Sequence, residues 1–372
     1  MSGLDTSDAT AKSKNIETGY TAYVKGVKIT GTAAGIVHGL NKYQVAFENL
    51  FSDVAYLAAT SVGNYALFGG GYGATIQYGT AIATNVVNGY NTSLSRSTPD
   101  VLSQGKYDLA ATSVGNYAMF GGGWYYNKVQ NKYIYLDTVD AYNSSLSKSN
   151  PTILSQSRQD LAAASVGNYA LFGGGYTGSG YSNVVDAYNT SLVRSTATVL
   201  TTARNMLTAI SIGNYALFGG GNGNSTTVDA YNTSLSRSTP TVLSQGRQQL
   251  AATSVGNYAL FGGGAYGNTY SATVDAYNTS LSRSTATVLS QGRYNLAATN
   301  IKNYALFGGG YGNSYYDTVD AYNIYLSRSQ PTALALARQD LAATSVGDYA
   351  LFGGGFYNNA YYSNTVDAYY ET

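Results

Sequence analysis

Two sets of aspartates in this chain have the residue type for acid–base work, and their positions separate them. Asp53, Asp108, Asp160, Asp317 and Asp340 stand in the connecting segments of a repeated sequence. Glycoside cleavage needs two convergent carboxyl groups, and Asp108 and Asp160 hold equivalent places in consecutive repeats, where they could face a common crevice. The second set, Asp140, Asp186, Asp229, Asp275, Asp320 and Asp367, recurs inside a Val-Asp-Ala-Tyr phrase, so the repeat itself accounts for it. Nothing in the sequence raises any of these carboxyls above a helpful polar neighbour. Nucleophilic catalysis has less support still. There is no Cys, and the single His, His38, lies outside the repeats, so no Ser or Cys nucleophile there has an imidazole base. The expectation is a non-enzymatic protein with no cofactor and no metal.

Binding chemistry is better provided. Tyr72, Trp124, Tyr125, Tyr126, Tyr176, Tyr181, Tyr266, Tyr311, Tyr315, Tyr316, Tyr357 and Tyr361 lie in segments otherwise rich in Gly, Ser and Asn. Those are the residues of recognition loops, because Tyr adds contact area at low entropic cost and small polar residues adapt their hydrogen bonds. Arg158, Arg204, Arg247, Arg293 and Arg338, with Lys106 at the same place, fall in neighbouring segments. Aromatic planes beside planar donors suit a sugar, whose C–H faces stack on rings and whose hydroxyls need Arg, Asn or Gln; they suit a protein loop equally well. At this level the basic residues are open to a second reading, as bonds within each repeat, and the Tyr segments to one as solvated decoration.

The elements that must position these side chains follow from the repeat. A phrase ending Gly-Gly-Gly closes at Gly71, Gly123, Gly175, Gly221, Gly264, Gly310 and Gly355, at intervals of 52, 52, 46, 43, 46 and 45 residues. That period suits a four-stranded propeller blade. In the fifth copy, Leu250–Val255 reads as the innermost strand A and Gly256-Asn257 as a tight turn. Tyr258–Phe261 reads as strand B, Thr273–Tyr277 as strand C by alternation, and Thr285–Leu289 as the outer strand D. The seventh copy ends at Thr372 after strand C, and aligning Leu57 with Leu250 puts residues 46–50 in the missing place. The fold expected is all-β, a seven-bladed propeller over residues 40–372 whose ring is closed by an N-terminal strand at 46–50. Closure removes the sheet edges that would invite aggregation. The A-to-B and C-to-D turns repeat nearly verbatim on one face. On the other, the stretch after each Gly triplet varies, with 14, 14, 8, 5, 8, 7 and 9 residues, and collects the aromatics.

Bulk composition narrows the partners. A net charge of +1 with 10% charged residues leaves no basic surplus for a phosphate backbone, so nucleic acid is not expected. No apolar run is long enough to insert in a membrane, and no basic region followed by an apolar core marks a Sec-type leader.

Residues 46–372 resemble kelch repeats, through the glycine doublet that closes strand B and the Tyr of strand C, as in Gly262-Gly263 and Tyr277. Kelch repeats usually place a Trp about six residues after that Tyr; here the residue is basic, as Arg96, Lys148, Arg194, Arg237, Arg283 and Arg328, read as a structural basic ring. The copper centre of a kelch-like oxidase would need Tyr, His and Cys, and this chain has no Cys and one His. Within residues 1–39, Asp8–Ile16 followed by Gly19–Thr32 resembles a short module of bacteriophage tail, baseplate and minor structural proteins. Its residues read as a capped helical turn, then a hairpin of Thr21–Val24 and Val27–Thr30 turning at Lys25-Gly26. A lone hairpin is marginal in water and needs a partner. Together the resemblances imply a virion component, anchored to other virion proteins through residues 1–39 and able to associate as a homo-oligomer such as a trimer. Its variable propeller face would present Tyr to a host cell-surface glycan or protein. A capsid fibre or decoration, a purely structural component and, last, a carbohydrate-active enzyme are the alternatives.

Overall fold

The computed structural model describes residues 21–24, 27–30, 39–43, 47–74 and 81–372. Among them there is no helix. The chain divides into two compact units, Met1–Asn41 with Glu371–Thr372, and Lys42–Tyr370. The first holds an antiparallel pair, Thr21–Val24 on Val27–Thr30; the expected helical turn and the Lys25-Gly26 turn lie outside the described residues. The second is a seven-bladed β-propeller built of four-stranded antiparallel sheets. In blade five the strands are A, Ala251–Val255; B, Tyr258–Gly262; C, Val274–Asn278; and D, Arg283–Thr285. Each strand A neighbours the strand A of the next blade, and the seventh neighbours the first.

The glycine triplet serves two different needs. Its first residue makes room between blades: a Cβ on Gly262 would lie 2.7 Å from Cε1 of Phe307, the strand B phenyl of blade six. The same contact runs round the ring, ending with Gly353 against Phe68 of blade one. The next two residues are conformational. Gly263 and Gly264 have φ of +71° and +102°, and a Cβ on Gly263 would meet the Arg293 carbonyl at 2.7 Å. Leu260, Phe261 and Tyr277 are wholly buried, as their counterparts are elsewhere, so both faces of each sheet are dry.

Inside that dry packing blades two to seven each hold a charge cluster. Arg158, Arg204, Arg247, Arg293 and Arg338 are at most 1% exposed, and each donates to the strand C aspartate of its own blade, Asp186, Asp229, Asp275, Asp320 and Asp367, at 2.6–2.9 Å. Lys106 does the same for Asp140 at 3.1 Å. This corrects the expectation that the five arginines form a ligand-contacting ring: their heads point into the blade, where the aspartate neutralises a charge that could not otherwise be buried. A second cation reaches each aspartate from strand D, such as Arg283 to Asp275 at 2.9 Å and Arg328 to Asp320 at 2.9 Å. Burial alone would raise the Asp140 pKa, yet the Lys106 ammonium, the Ser103 N–H and the Lys148 ammonium together hold it below the usual carboxylate range. Blade one is the exception that explains the rule. Val54 replaces the buried cation and Asn88 the aspartate, and Arg96 turns to Glu48 at 3.0 Å.

The ring is closed from the N-terminal side, but at Lys42 and Tyr43 rather than at residues 46–50. Lys42 bonds Asp367 at 2.6 Å, the part that strand D arginines play in other blades, and Tyr43 donates its N–H to Ala368. The shift has a simple cause. Strand D pairs for only two or three residues starting at its basic residue, so it ends where the sequence reading began it, as at Arg283–Thr285. Leu50 is still the counterpart of Leu289: both are 2% exposed and both donate their N–H to the segment before strand C, at Asn364 and Ala272. They follow the strand instead of forming it.

Candidate functional site

The variable face surrounds the propeller axis, and its centre is built from one residue per blade. Tyr56, Asp108, Asp160, Met206, Gln249, Asn295 and Asp340, each just ahead of strand A, all have φ between +51° and +58°. In that left-handed conformation the N–H of each turns to the carbonyl of its counterpart one blade back. Asp108 donates to Tyr56, Asp160 to Asp108, Met206 to Asp160 and Gln249 to Met206; Asn295 donates to Gln249, Asp340 to Asn295 and Tyr56 to Asp340, all at 2.9–3.1 Å. The result is a closed circle of backbone hydrogen bonds. Their side chains, with the strand A leucines such as Leu109 and Leu161, line an axial well of about 450 Å³, within the range of small-ligand sites.

Three carboxyls share the well, and no Lys, Arg or His lines it. Sinking them among protein atoms raises all three pKa values, since loss of water penalises the charged form. Asp160 rises to about 6, resisted by hydrogen bonds from Asn205 and Gln159. Asp340 rises to about 7, opposed by the Tyr56 hydroxyl and Gln339 amide and reinforced by the charge of Asp160. Asp108 is pushed well above its ordinary value by burial and then by the charge of Asp160, although the Trp124 indole Nε1 donates to its Oδ2 at 2.8 Å.

Around the well runs an arc of rings. The residue before each well residue bridges to the first residue after the Gly triplet, as Tyr107 does to Trp124, Gln159 to Tyr176, Tyr294 to Tyr311 and Gln339 to Phe356. These pairings set the aromatics side by side. From blade five to blade three the contacts are Tyr270–Tyr311 at 6.4 Å, Tyr311–Tyr315 at 4.9 Å, Tyr315–Phe356 at 6.2 Å, Phe356–Tyr362 at 5.5 Å and Tyr362–Tyr72 at 5.8 Å. The line continues through Tyr72–Tyr107 at 5.0 Å, Tyr107–Trp124 at 4.4 Å, Trp124–Tyr135 at 6.4 Å, Tyr135–Tyr176 at 5.8 Å and Tyr176–Tyr181 at 5.8 Å. Blade four interrupts it with amides, where the Asn205 N–H donates to Asn222 Oδ1 at 3.0 Å.

No protein-family model matches the sequence, and no curated protein is significantly similar to it. The site is therefore read from its own geometry. Of the aromatics singled out from sequence, Tyr72, Trp124, Tyr176, Tyr181, Tyr311 and Tyr315 stand in the arc. Tyr126, Tyr181, Tyr266 and Tyr361 are exposed, Tyr125 and Tyr316 are half-buried, and Tyr357 packs on Tyr361 at 5.6 Å. Asp108 and Asp160 do face a common space, joined there by Asp340; Asp53 and Asp317 are exposed and do not line it. Sequence reasoning missed Tyr56, Tyr107, Tyr294, Met206 and Gln249. The available signal was positional, since each lies one or two residues ahead of the recurrent Leu that opens strand A.

Proposed function

We propose that the protein is a non-enzymatic binding protein of a phage particle, and that its variable propeller face adsorbs to a saccharide of the host cell surface. The observation that carries this reading is the arc of contacting rings around a well lined by carboxyl and amide groups. Rings offer flat apolar platforms to the C–H faces of sugars, and side-chain amides and carboxyls meet hydroxyls with both donors and acceptors. The kelch-like repeat supplies the scaffold in this proposal. The attachment role rests on the resemblance of residues 8–32 to a phage tail and baseplate module, with a capsid fibre or decoration as the other placement.

The test is direct. Purified full chain should bind host cells or their wall glycans, and Trp124→Ala should weaken that binding about tenfold or more, as truncating a central aromatic anchor does. Unaltered adsorption of particles lacking the protein, together with no binding by the purified chain, would remove the proposal. A second reading, saccharide cleavage, is favoured by carboxyls of raised and unequal pKa in one well. It predicts product release from a bound glycan that Asp160→Asn abolishes.

A further inference from the structure

The three well aspartates are half-buried, and their charge arithmetic differs from that of the buried aspartates inside the blades. The strand C aspartates are each matched by a cation inside the blade, as Asp275 is by Arg247 at 2.7 Å. Asp108, Asp160 and Asp340 have no cationic side chain in the lining around them. Their neutral neighbours add a second, independent imbalance. Asn205 is 5% exposed, and its Nδ2 reaches Asp160 Oδ2 at 3.3 Å while its Oδ1 has no donor. Gln159 donates to the same Oδ2 at 3.2 Å, and its Oε1 is likewise buried and unpartnered. Gln339 Oε1 and Asp340 Oδ2 are in the same state. These four atoms are all acceptors, and a buried acceptor left without a donor is costly.

We infer that the axial well is built to receive a protonated primary amine carried on a saccharide, the free ammonium of an amino sugar, drawn by the carboxyls of Asp108, Asp160 and Asp340 that line it. The inference rests on the saccharide reading given above and names the sugar class. An ammonium brings three donors, no acceptor and one positive charge, which answers a lining that holds carboxyls and no cation. A neutral hydroxyl brings one donor and leaves the charge unanswered. Tyr56 adds an aromatic face to the well wall, where a cation is favoured. The titratable groups facing the space are Asp108, Asp160, Asp340 and Tyr56. Burial raises them all, so an arriving cation draws the carboxyls back toward ionisation and expels protons.

The experiment uses the full chain, titrated calorimetrically with a glucosamine oligosaccharide, its N-acetylated counterpart and a glucose oligosaccharide of equal length, at pH 6.5 in two buffers of different ionisation enthalpy. The expected result is binding of the glucosamine oligomer at least tenfold tighter than either neutral oligomer, with protons released to buffer. Asp340→Asn and Asp160→Asn should each erase that preference, bringing the glucosamine oligomer to the affinity of the neutral ones, with a melting temperature no lower than in the parent. Equal affinity for the three oligomers would overturn the inference and leave the saccharide reading standing. A preference for free amine that survives both substitutions would overturn it too, by placing the amine elsewhere. Binding of no oligomer at all would overturn both.

Discussion

Blade one shows how a propeller blade manages without its buried ion pair, and that solution can be written into blade six. There Arg293 donates to Asp320 Oδ2 at 2.9 Å and to the Phe307 carbonyl at 3.1 Å, with no exposure of either charged side chain. Asp320→Asn keeps an acceptor for the Ser290 N–H, as Asn88 Oδ1 does for Phe51 at 2.9 Å, but strands the Arg293 charge in a dry interior. Removing one partner of such a pair costs about 3–5 kcal/mol. Arg293→Val is milder, because Asp320 retains Arg328 at 2.9 Å and the Ser290 hydroxyl at 3.0 Å; about 2–3 kcal/mol is expected for a lost charged hydrogen bond. The double substitution removes charge and countercharge together. Arg328, a quarter exposed, can then turn to water, and the residual cost is about 1–2 kcal/mol for the volume lost between Arg and Val. The pair should therefore fall short of additivity by about 3 kcal/mol or more. Urea denaturation followed by circular dichroism measures it, provided the slope is unchanged among the four proteins. A double variant whose loss equals the sum of the single losses would refute the account of Val54 and Asn88 as a matched neutral pair.

Three further outcomes follow from contacts already described. Gly262→Ala should destabilise by about 1–3 kcal/mol through its 2.7 Å approach to Phe307, whereas Gly267→Ala, with open space and φ of +55°, should cost about 1 kcal/mol; thermal melts rank the two. Lys42→Ala should lower the melting temperature by removing one of the two cations on Asp367, the other being Arg338 at 2.8 Å, and an unchanged melt would argue against closure at this residue. Stability should fall as pH rises from about 4 to about 7. Asp160 and Asp340 titrate near 6 and 7 in the fold against an ordinary 3.8, so in that window the native state holds protons that the unfolded chain has released. Asp340→Asn should flatten that slope and stabilise the protein at pH 8 by about 1–2 kcal/mol, read from denaturation midpoints across the range.

The seven blades were legible because the glycine triplet is required twice over, by an adjacent phenyl and by backbone angles, and so recurs without variation. Strand D was misplaced because so short a strand leaves no alternation to read; its marker is the single basic residue. That marker precedes the strand A leucine by 13 residues in six copies, as Arg283 does Leu296, and by 15 at Lys42 and Leu57, which identifies the closing residue once the spacing is allowed to drift. The inner arginines were misread as facing outward. Their loops do lie on the variable face, but their long stems carry the charge inward, and the clue was the joint loss of cation and aspartate in blade one. The well was half legible. Asp108 and Asp160 stood out as carboxyls, while Tyr56, Met206 and Gln249 share their role through backbone geometry alone and have no common side-chain chemistry to reveal it.

The circle of seven backbone hydrogen bonds asks nothing of the side chains it carries. Each position needs only a residue that tolerates a left-handed φ, and the present set, Tyr, Asp, Asp, Met, Gln, Asn and Asp, contains no β-branched member. The well lining is thus a seven-place register whose letters can be rewritten one at a time while the frame holds. A protein built this way can follow a changing surface by single substitutions at seven fixed sites, without inserting or deleting a loop.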